Sequence, residues 1–213
     1  MKEKVLVIAA HNDDPAVGAG GTLLKYKKEG KETACIIFSY GEWRQPHLKE
    51  GIMKDTRLKE TKESNKAIGL KCLGYFDLDA KFKEQIEKKK IKKKLKYLMM
   101  QYGPNKIFTH SVDDPMPDHR AVYKLVMEIL KEEKLDVDVY SFDIWNIVNF
   151  RNRNKPKLIV DISDQFKTKI EAIRKHESQA ATVTSLVWKI SWKNWLNGLG
   201  NNCRYAEVFV KIH

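Results

Sequence analysis

Residues 5–10 read Val-Leu-Val-Ile-Ala-Ala, six apolar side chains in unbroken succession. A strand with one wet face alternates polar and apolar residues. An unbroken run is buried on both faces, as an interior strand of a parallel sheet is. The rest of the chain must therefore supply helices to cover two faces, and it does. The pattern predicts a helix over 16–29 stopped by Gly30, a strand over 33–39, a helix over 54–68 closed by Gly69, and a strand over 72–76. A lysine-rich helix over 83–101 ends at Gly103 and Pro104. A strand over 106–110, a helix over 121–133 and strands over 137–142 and 158–161 follow. Ser163 is expected to cap a helix running to Ser178. Residues 40–53, with Gly41, Trp43, Pro46, His47 and Gly51, read as a loop. The segment holding Trp188, Trp192 and Trp195 is poorly periodic, and residues 206–212 return to strand character. Strands alternating with helices give a Rossmann-like three-layer α/β fold with a mostly parallel sheet. No repeat or linker interrupts it, so residues 1–213 are read as a single domain.

What the chain can interact with is bounded by its charge and hydropathy. The formal net charge is +12, concentrated in "KKKIKKK", residues 88–94. Ile91, Leu95 and Leu98 fall on one helical face there, so the lysines form the wet face of an amphipathic helix. Few aromatic residues interleave with them, which disfavours a nucleic-acid platform. No apolar run approaches the roughly 18 residues a membrane span needs. The N-terminus lacks a cleavable apolar region, so a cytoplasmic protein is expected. Cys35, Cys72 and Cys203 are odd in number and far apart, and read as free thiols.

Just past the first strand the sequence turns to "HNDDP", residues 11–15. In a parallel sheet, ligands bind at the carboxyl ends of the strands, where the strand order reverses. His11, Asp13 and Asp14 lie at the end of strand one. His110 ends strand four, and Asp118 and His119 follow eight and nine residues later. If strands one and four are neighbours, the two loops meet in one crevice. Imidazole and carboxylate are ordinary ligands for zinc, and two His with one carboxylate leave a position open for water. His11 and Asp14 are three apart, so a tight turn aims both at one ion. Asp13, between them, points elsewhere and is free to move a proton. Taken alone, "HNDD" reads equally as turn and N-cap chemistry, and "DHRAV" as a first helical turn. Their joint placement at two strand ends favours a site. The "GAGG" stretch falls short of a dinucleotide fingerprint, and the acidic tip would repel a pyrophosphate.

These residues carry a resemblance. "AHNDDP" (10–15) and "MPDHRAV" (116–122) resemble the A-H-P-D-D-E and H-x-D-H motifs of the PIG-L/LmbE-like family of zinc-dependent N-acetylglucosaminide deacetylases. Four further segments match it in order: "SYGE" (39–42), "RLKE" (57–60), "KIEAIRKHESQ" (169–179) and "AEVFVKI" (206–212). The resemblance implies zinc on His11, Asp14 and His119, Asp13 as general base, and Arg57 on sugar hydroxyls. It implies hydrolysis of the acetamido group of an N-acetylated amino sugar or glycoconjugate. Asp118 is placed at the substrate side of the same motif.

The chain departs from the motifs at three positions. Asn12 stands at the family's Pro and Pro15 at its Glu. Met116 stands at the first His of H-x-D-H, and a thioether donates no hydrogen bond. Losing one oxyanion donor costs about 10²–10³ in rate. Either another group supplies the donor, with His110 and His176 as the candidates, or zinc polarises the carbonyl alone. The third reading is a catalytically impaired carbohydrate- or nucleotide-sugar-binding protein. The tryptophans read as core or subunit-interface residues, for which a homo-oligomeric contact would suffice.

Overall fold

A computed structural model of the chain describes residues 2–40, 50–78, 82–88, 90–146 and 154–213. The loop features expected at Gly41, Trp43, Pro46 and His47 lie outside these residues, as does half of the "SYGE" segment, Gly41 and Glu42. In chain order the elements are β1 (Lys4–His11), α1 (Asp14–Lys28), β2 (Glu32–Ser39), α2 (Glu50–Ile68), β3 (Lys71–Tyr75), α3 (Phe82–Lys88) and α4 (Ile91–Tyr102). There follow β4 (Lys106–His110), α5 (Pro117–Glu133), β5 (Asp138–Phe142), β6 (Lys157–Asp161) and α6 (Phe166–Arg174). A single 3-10 turn (Glu177–Gln179), α7 (Ala180–Leu199) and β7 (Ala206–Lys211) complete the chain.

The seven strands form one sheet in the order β3-β2-β1-β4-β5-β7-β6. β1 pairs in parallel with β2 on one side and β4 on the other, so the order reverses at β1 as expected. β4 and β5 continue in parallel. β7 then inserts antiparallel between β5 and β6, which makes the sheet mostly rather than wholly parallel. Val5, Val7 and Ala9 pack under α1, α6 and α7. Leu6, Ile8 and Ala10 pack under α4 and α5, with Phe82 of α3. Both faces of β1 are thereby covered, which is why its side chains could be apolar throughout.

Small residues set the closest approach on the first face. An added Cβ at Gly21 would lie 2.7 Å from Ile162 Cδ1, so α1 can sit where it does only without that carbon. Gly103, at φ +62, ends α4 and donates its N–H to the Met99 carbonyl at 2.9 Å, the left-handed stop that Gly adopts at no steric cost.

Three expectations are corrected. The lysine-rich segment is two helices, α3 and α4, because Lys90 takes a left-handed conformation at φ +51. Ser163 is not a helix cap: its N–H and hydroxyl both donate to Asp161 Oδ1, at 2.9 and 2.6 Å. The helix after it starts at Phe166 and stops at Arg174. The tryptophan segment is the 20-residue helix α7, and Trp188, Trp192 and Trp195 are 77%, 55% and 37% exposed rather than in the core. On α4, Lys92 reaches Glu128 and Glu132 of α5, at 2.5 and 2.6 Å, so part of the lysine run is paired. Among the described residues, no helix is long and apolar enough to cross a membrane.

Candidate metal centre

β1 delivers His11 to the carboxyl edge of the sheet, and the chain turns straight into α1. The His11 backbone N–H donates to Asp14 Oδ2 at 2.7 Å, folding that carboxylate back over the strand end. Pro15 sits comfortably in the first turn of α1, where its missing N–H is no loss. From the neighbouring strand, β4, the chain runs through residues 111–116 into α5. Pro117 opens that helix and His119 lies in its first turn.

The two loops converge. His119 Nε2 lies 3.2 Å from His11 Nδ1. Asp14 Oδ2 is 3.4 Å from His11 Nδ1 and 3.6 Å from His119 Nε2. His11, Asp14 and His119 each offer one ligand atom, and these atoms all lie within 4.8 Å of one another. Two imidazole nitrogens and a carboxylate, all buried, suit a divalent ion of borderline character. Each ring also has a carboxylate behind it. His119 Nδ1 is 3.0 Å from Asp114 Oδ1, and His11 Nε2 is 3.3 Å from Asp118 Oδ2. A proton on His11 Nε2 is hydrogen-bonded to Asp118, and one on His119 Nδ1 lies at ion-pair distance from Asp114, which leaves each inner lone pair for an ion.

Electrostatics follow from this crowding. Burial works against a charged Asp14, but His119 and His110 outweigh it and hold the carboxyl well below the usual range. Burial also disfavours charge on His11. Its hydrogen bonds to Asp118 and Asp14 win, raising its pKa to about 9. Burial, then the neighbouring His119, push His110 down to about 4. His110, Asp114 and His119 make a second acid–imidazole cluster. One atom each of two of its members is engaged: His110 Nε2 accepts the Ala10 N–H at 2.9 Å, and Asp114 Oδ1 accepts the Met116 N–H at 2.9 Å, while His110 Nδ1 and Asp114 Oδ2 have no hydrogen-bond partner among the described residues.

The first cluster, not the second, opens on a cleft. That cleft has a volume of about 20 Å³, enough for about one water molecule. Asp13 lines it beside His11, Asp14 and His119. Ile144, Trp145 and Leu186 add apolar surface to the same lining, with Gln179 and Thr182 adding polar atoms.

Other expected residues stand elsewhere. His110 is fully buried and stacks on His119 with ring centroids 4.0 Å apart; it backs a candidate ligand and does not line the cleft. His176 is also fully buried, with Nδ1 3.3 Å from Asn12 Nδ2. Arg57 is 1% exposed, and its Nη1 donates to the Tyr40 carbonyl at 2.6 Å. Asp118, expected at the substrate, faces His11. Sequence reasoning missed Asp114, Gln179 and the part played by Asn12. The "RLKE" and "HESQ" segments do meet: Ser178 donates its N–H and hydroxyl to the two oxygens of Glu60, at 2.6 and 2.7 Å.

Asp114 gives a direct test of the centre. In Asp114→Asn, Oδ1 can still accept from Met116 N–H while the charge facing His119 is lost. Divalent-ion affinity, measured by competition with a chelating dye, should fall about 10–100-fold. An unchanged affinity would show that the ring needs no such partner.

Comparison with known proteins adds a lineage to this geometry. A model of the PIG-L family, described as GlcNAc-PI de-N-acetylase, matches residues 6–130. The chain is 27% identical over 229 residues to diacetylchitobiose deacetylase of Thermococcus kodakarensis, spanning 96% of this chain and 81% of that protein. It is 26% identical over 196 residues to a Bacillus cereus protein named "Probable N-acetyl-alpha-D-glucosaminyl L-malate deacetylase 2", spanning 84% of each. The crystal structure of the hydratase GalB from Pseudomonas putida KT2440 aligns with a TM-score of 0.83 at 21% identity, over 99% of this chain and 96% of that one. A hydratase on the same scaffold shows that the fold alone does not choose the reaction.

Proposed function

The chain belongs to the PIG-L family, and on that premise we propose that it is a metal-dependent N-deacetylase acting on an N-acetylglucosamine-containing substrate. The observation that carries this reading is the buried His11–Asp14–His119 cluster opening, with Asp13 beside it, on a cleft of one-water size. The donor set fits zinc. When bound, such an ion supplies Lewis acidity: it polarises an amide carbonyl and makes nearby water acidic. Asp13 accepts the proton of the attacking water at its carboxylate and returns it to the nitrogen as the C–N bond breaks. The products are acetate and a free amine. The apolar surface of Ile144, Trp145 and Leu186 limits water around the reacting amide. Arg57, buried with its Nη1 donating to the Tyr40 carbonyl, acts on the substrate indirectly by holding the strand end after β2.

The family description and the Bacillus relative's name share an N-acetylglucosaminyl group joined to different partners. The common part is therefore the substrate class proposed for this chain. The test is acetate release by zinc-loaded protein from N-acetylglucosamine, diacetylchitobiose and N-acetylglucosaminyl conjugates. Turnover should vanish after dialysis against a chelator and return with added zinc. Sugar binding without acetate from any of these compounds would replace the enzyme reading with a binding protein.

A further inference from the structure

The orientation of Gln179 is fixed by a hydrogen-bond relay whose polarity can be followed from end to end. Thr61 Oγ1 gives its one proton to the Arg57 carbonyl at 2.6 Å. Toward Asn12 it can therefore only accept, and Asn12 Nδ2 lies 3.1 Å away. The same Nδ2 faces His176 Nδ1 at 3.3 Å, so both protons of the Asn12 amide are spent. Its Oδ1 then faces Gln179 and accepts from Nε2 at 3.4 Å. The backbone of this turn is pinned as well, by the two bonds from Ser178 to Glu60 and by Gln179 N–H donating to the His176 carbonyl at 3.0 Å.

An amide nitrogen carries two protons. Gln179 uses one on Asn12. The other belongs to a side chain that lines the cleft and has no further partner among the described residues. We infer that Gln179 is a catalytic residue: its remaining N–H hydrogen-bonds the acetyl oxygen of the substrate as negative charge builds there. The inference rests on the deacetylase reading above. Asp13 and Asp14 would repel that oxygen, the inner nitrogens of His11 and His119 face the ion position, Ile144 and Leu186 donate nothing, and the indole N–H of Trp145 has no described hydrogen bond that fixes its direction. Thr182 has a hydroxyl, but no described group fixes its direction. A donor held in place before the reaction is worth more than one that must be ordered during it. His110 and His176, the donors expected from sequence, are fully buried outside the cleft lining. Asn12 is the positioning residue, since it aims Gln179 without facing the substrate through its own spent protons.

Gln179→Met keeps the length and lack of branching and removes the N–H groups. With zinc-loaded protein, kcat should fall about 100-fold or more, while KM changes less than about threefold. Asn12→Ala should lower kcat in the parent and add nothing in the Gln179→Met background, because it acts through that amide. A readout free of turnover is the affinity of zinc-loaded protein for methylphosphonate, a tetrahedral mimic of the attacked acetyl group. Calorimetry should show it weakened about tenfold or more in Gln179→Met. A kcat within about threefold of the parent overturns the inference. If the parent releases no acetate from any substrate, the deacetylase reading falls and the phosphonate decides. Equal affinities in the two proteins, including no binding to either, then overturn the role of Gln179. Melting temperatures of parent and variant confirm that the comparison is between folded proteins.

Discussion

Asp13→Asn should lower kcat about 10³-fold, the usual scale of a lost general base, while the protein keeps its divalent ion. The reasoning is local. Asp13 lines the cleft beside the cluster, yet the cluster atoms come from its neighbours His11 and Asp14 and from the distant His119. A carboxamide matches the carboxylate in size but accepts no proton at neutral pH. The ligands are untouched, so ion stoichiometry should stay at the parent level. Asp14→Asn is the informative contrast. There the atom that holds the His11 N–H and sits near three imidazole nitrogens loses its charge, and ion and turnover should disappear together. Parallel measurement of kcat and bound metal separates the two roles. An Asp13→Asn protein with kcat within tenfold of the parent would remove Asp13 as the base, and ion loss in that variant would make it a ligand.

The residues just discussed show why some of the site was legible in sequence and some was not. β1 announces itself by an unbroken apolar run and β4 by the short segment Lys-Ile-Phe-Thr-His after Gly103 and Pro104, and polar residues at their ends have one place to go, the carboxyl edge of the sheet. That logic reaches His11, Asp14 and His119 without coordinates, and β1–β4 pairing places them together. Asp114 escapes it because an Asp five residues before a His, next to a Pro, also reads as ordinary turn chemistry. Only the 3.0 Å approach to His119 gives it a role. The Asn12–Gln179 contact spans 167 positions, and no local spacing reports it. Helix α7 hides for a different reason. Its buried residues Val183, Leu186, Ile190, Asn194 and Gly198 keep helical spacing, but two of the five are not apolar. Exposed Trp188, Trp192 and Trp195 add apolar character to the opposite face, and the amphipathic contrast cancels. The break between α3 and α4 lacks any signal, because Lys90 enters the left-handed region inside a lysine run with no Gly, Asn or Pro to mark it.

Lys169→Met should destabilise the protein by about 3–5 kcal/mol, the cost of leaving one member of a buried ion pair alone. Lys169 of α6 and Glu207 of β7 are 1% and 2% exposed, with Nζ 2.6 Å from Oε1. Lys169 Nζ also donates to Asn194 Oδ1 of α7 at 3.1 Å. Glu207 accepts the backbone N–H groups of Gly21 and Thr22 in α1, at 3.0 and 2.7 Å. Four elements therefore meet at one charge pair. Gly20 allows the approach, since a Cβ there would lie 3.3 Å from Lys169 Cγ. Methionine fills similar volume, so the loss is one of charge rather than packing, and Glu207 is left buried with only neutral donors. At about 2–4 °C per kcal/mol for a chain of this size, the melting temperature should drop by roughly 10 °C. Lys169→Met combined with Glu207→Gln should recover part of that loss, because a neutral amide no longer strands a charge. The effect should reach the cleft as well. Asn194 holds α7 to β7 through the Ala206 carbonyl at 2.9 Å, and the same helix carries Thr182 and Leu186 into the cleft wall. In the single variant, KM should therefore rise before the protein unfolds, whereas the double variant should bring KM back toward the parent value. A double variant as unstable as the single one would mean that packing at this junction, rather than the uncompensated carboxylate, sets the cost.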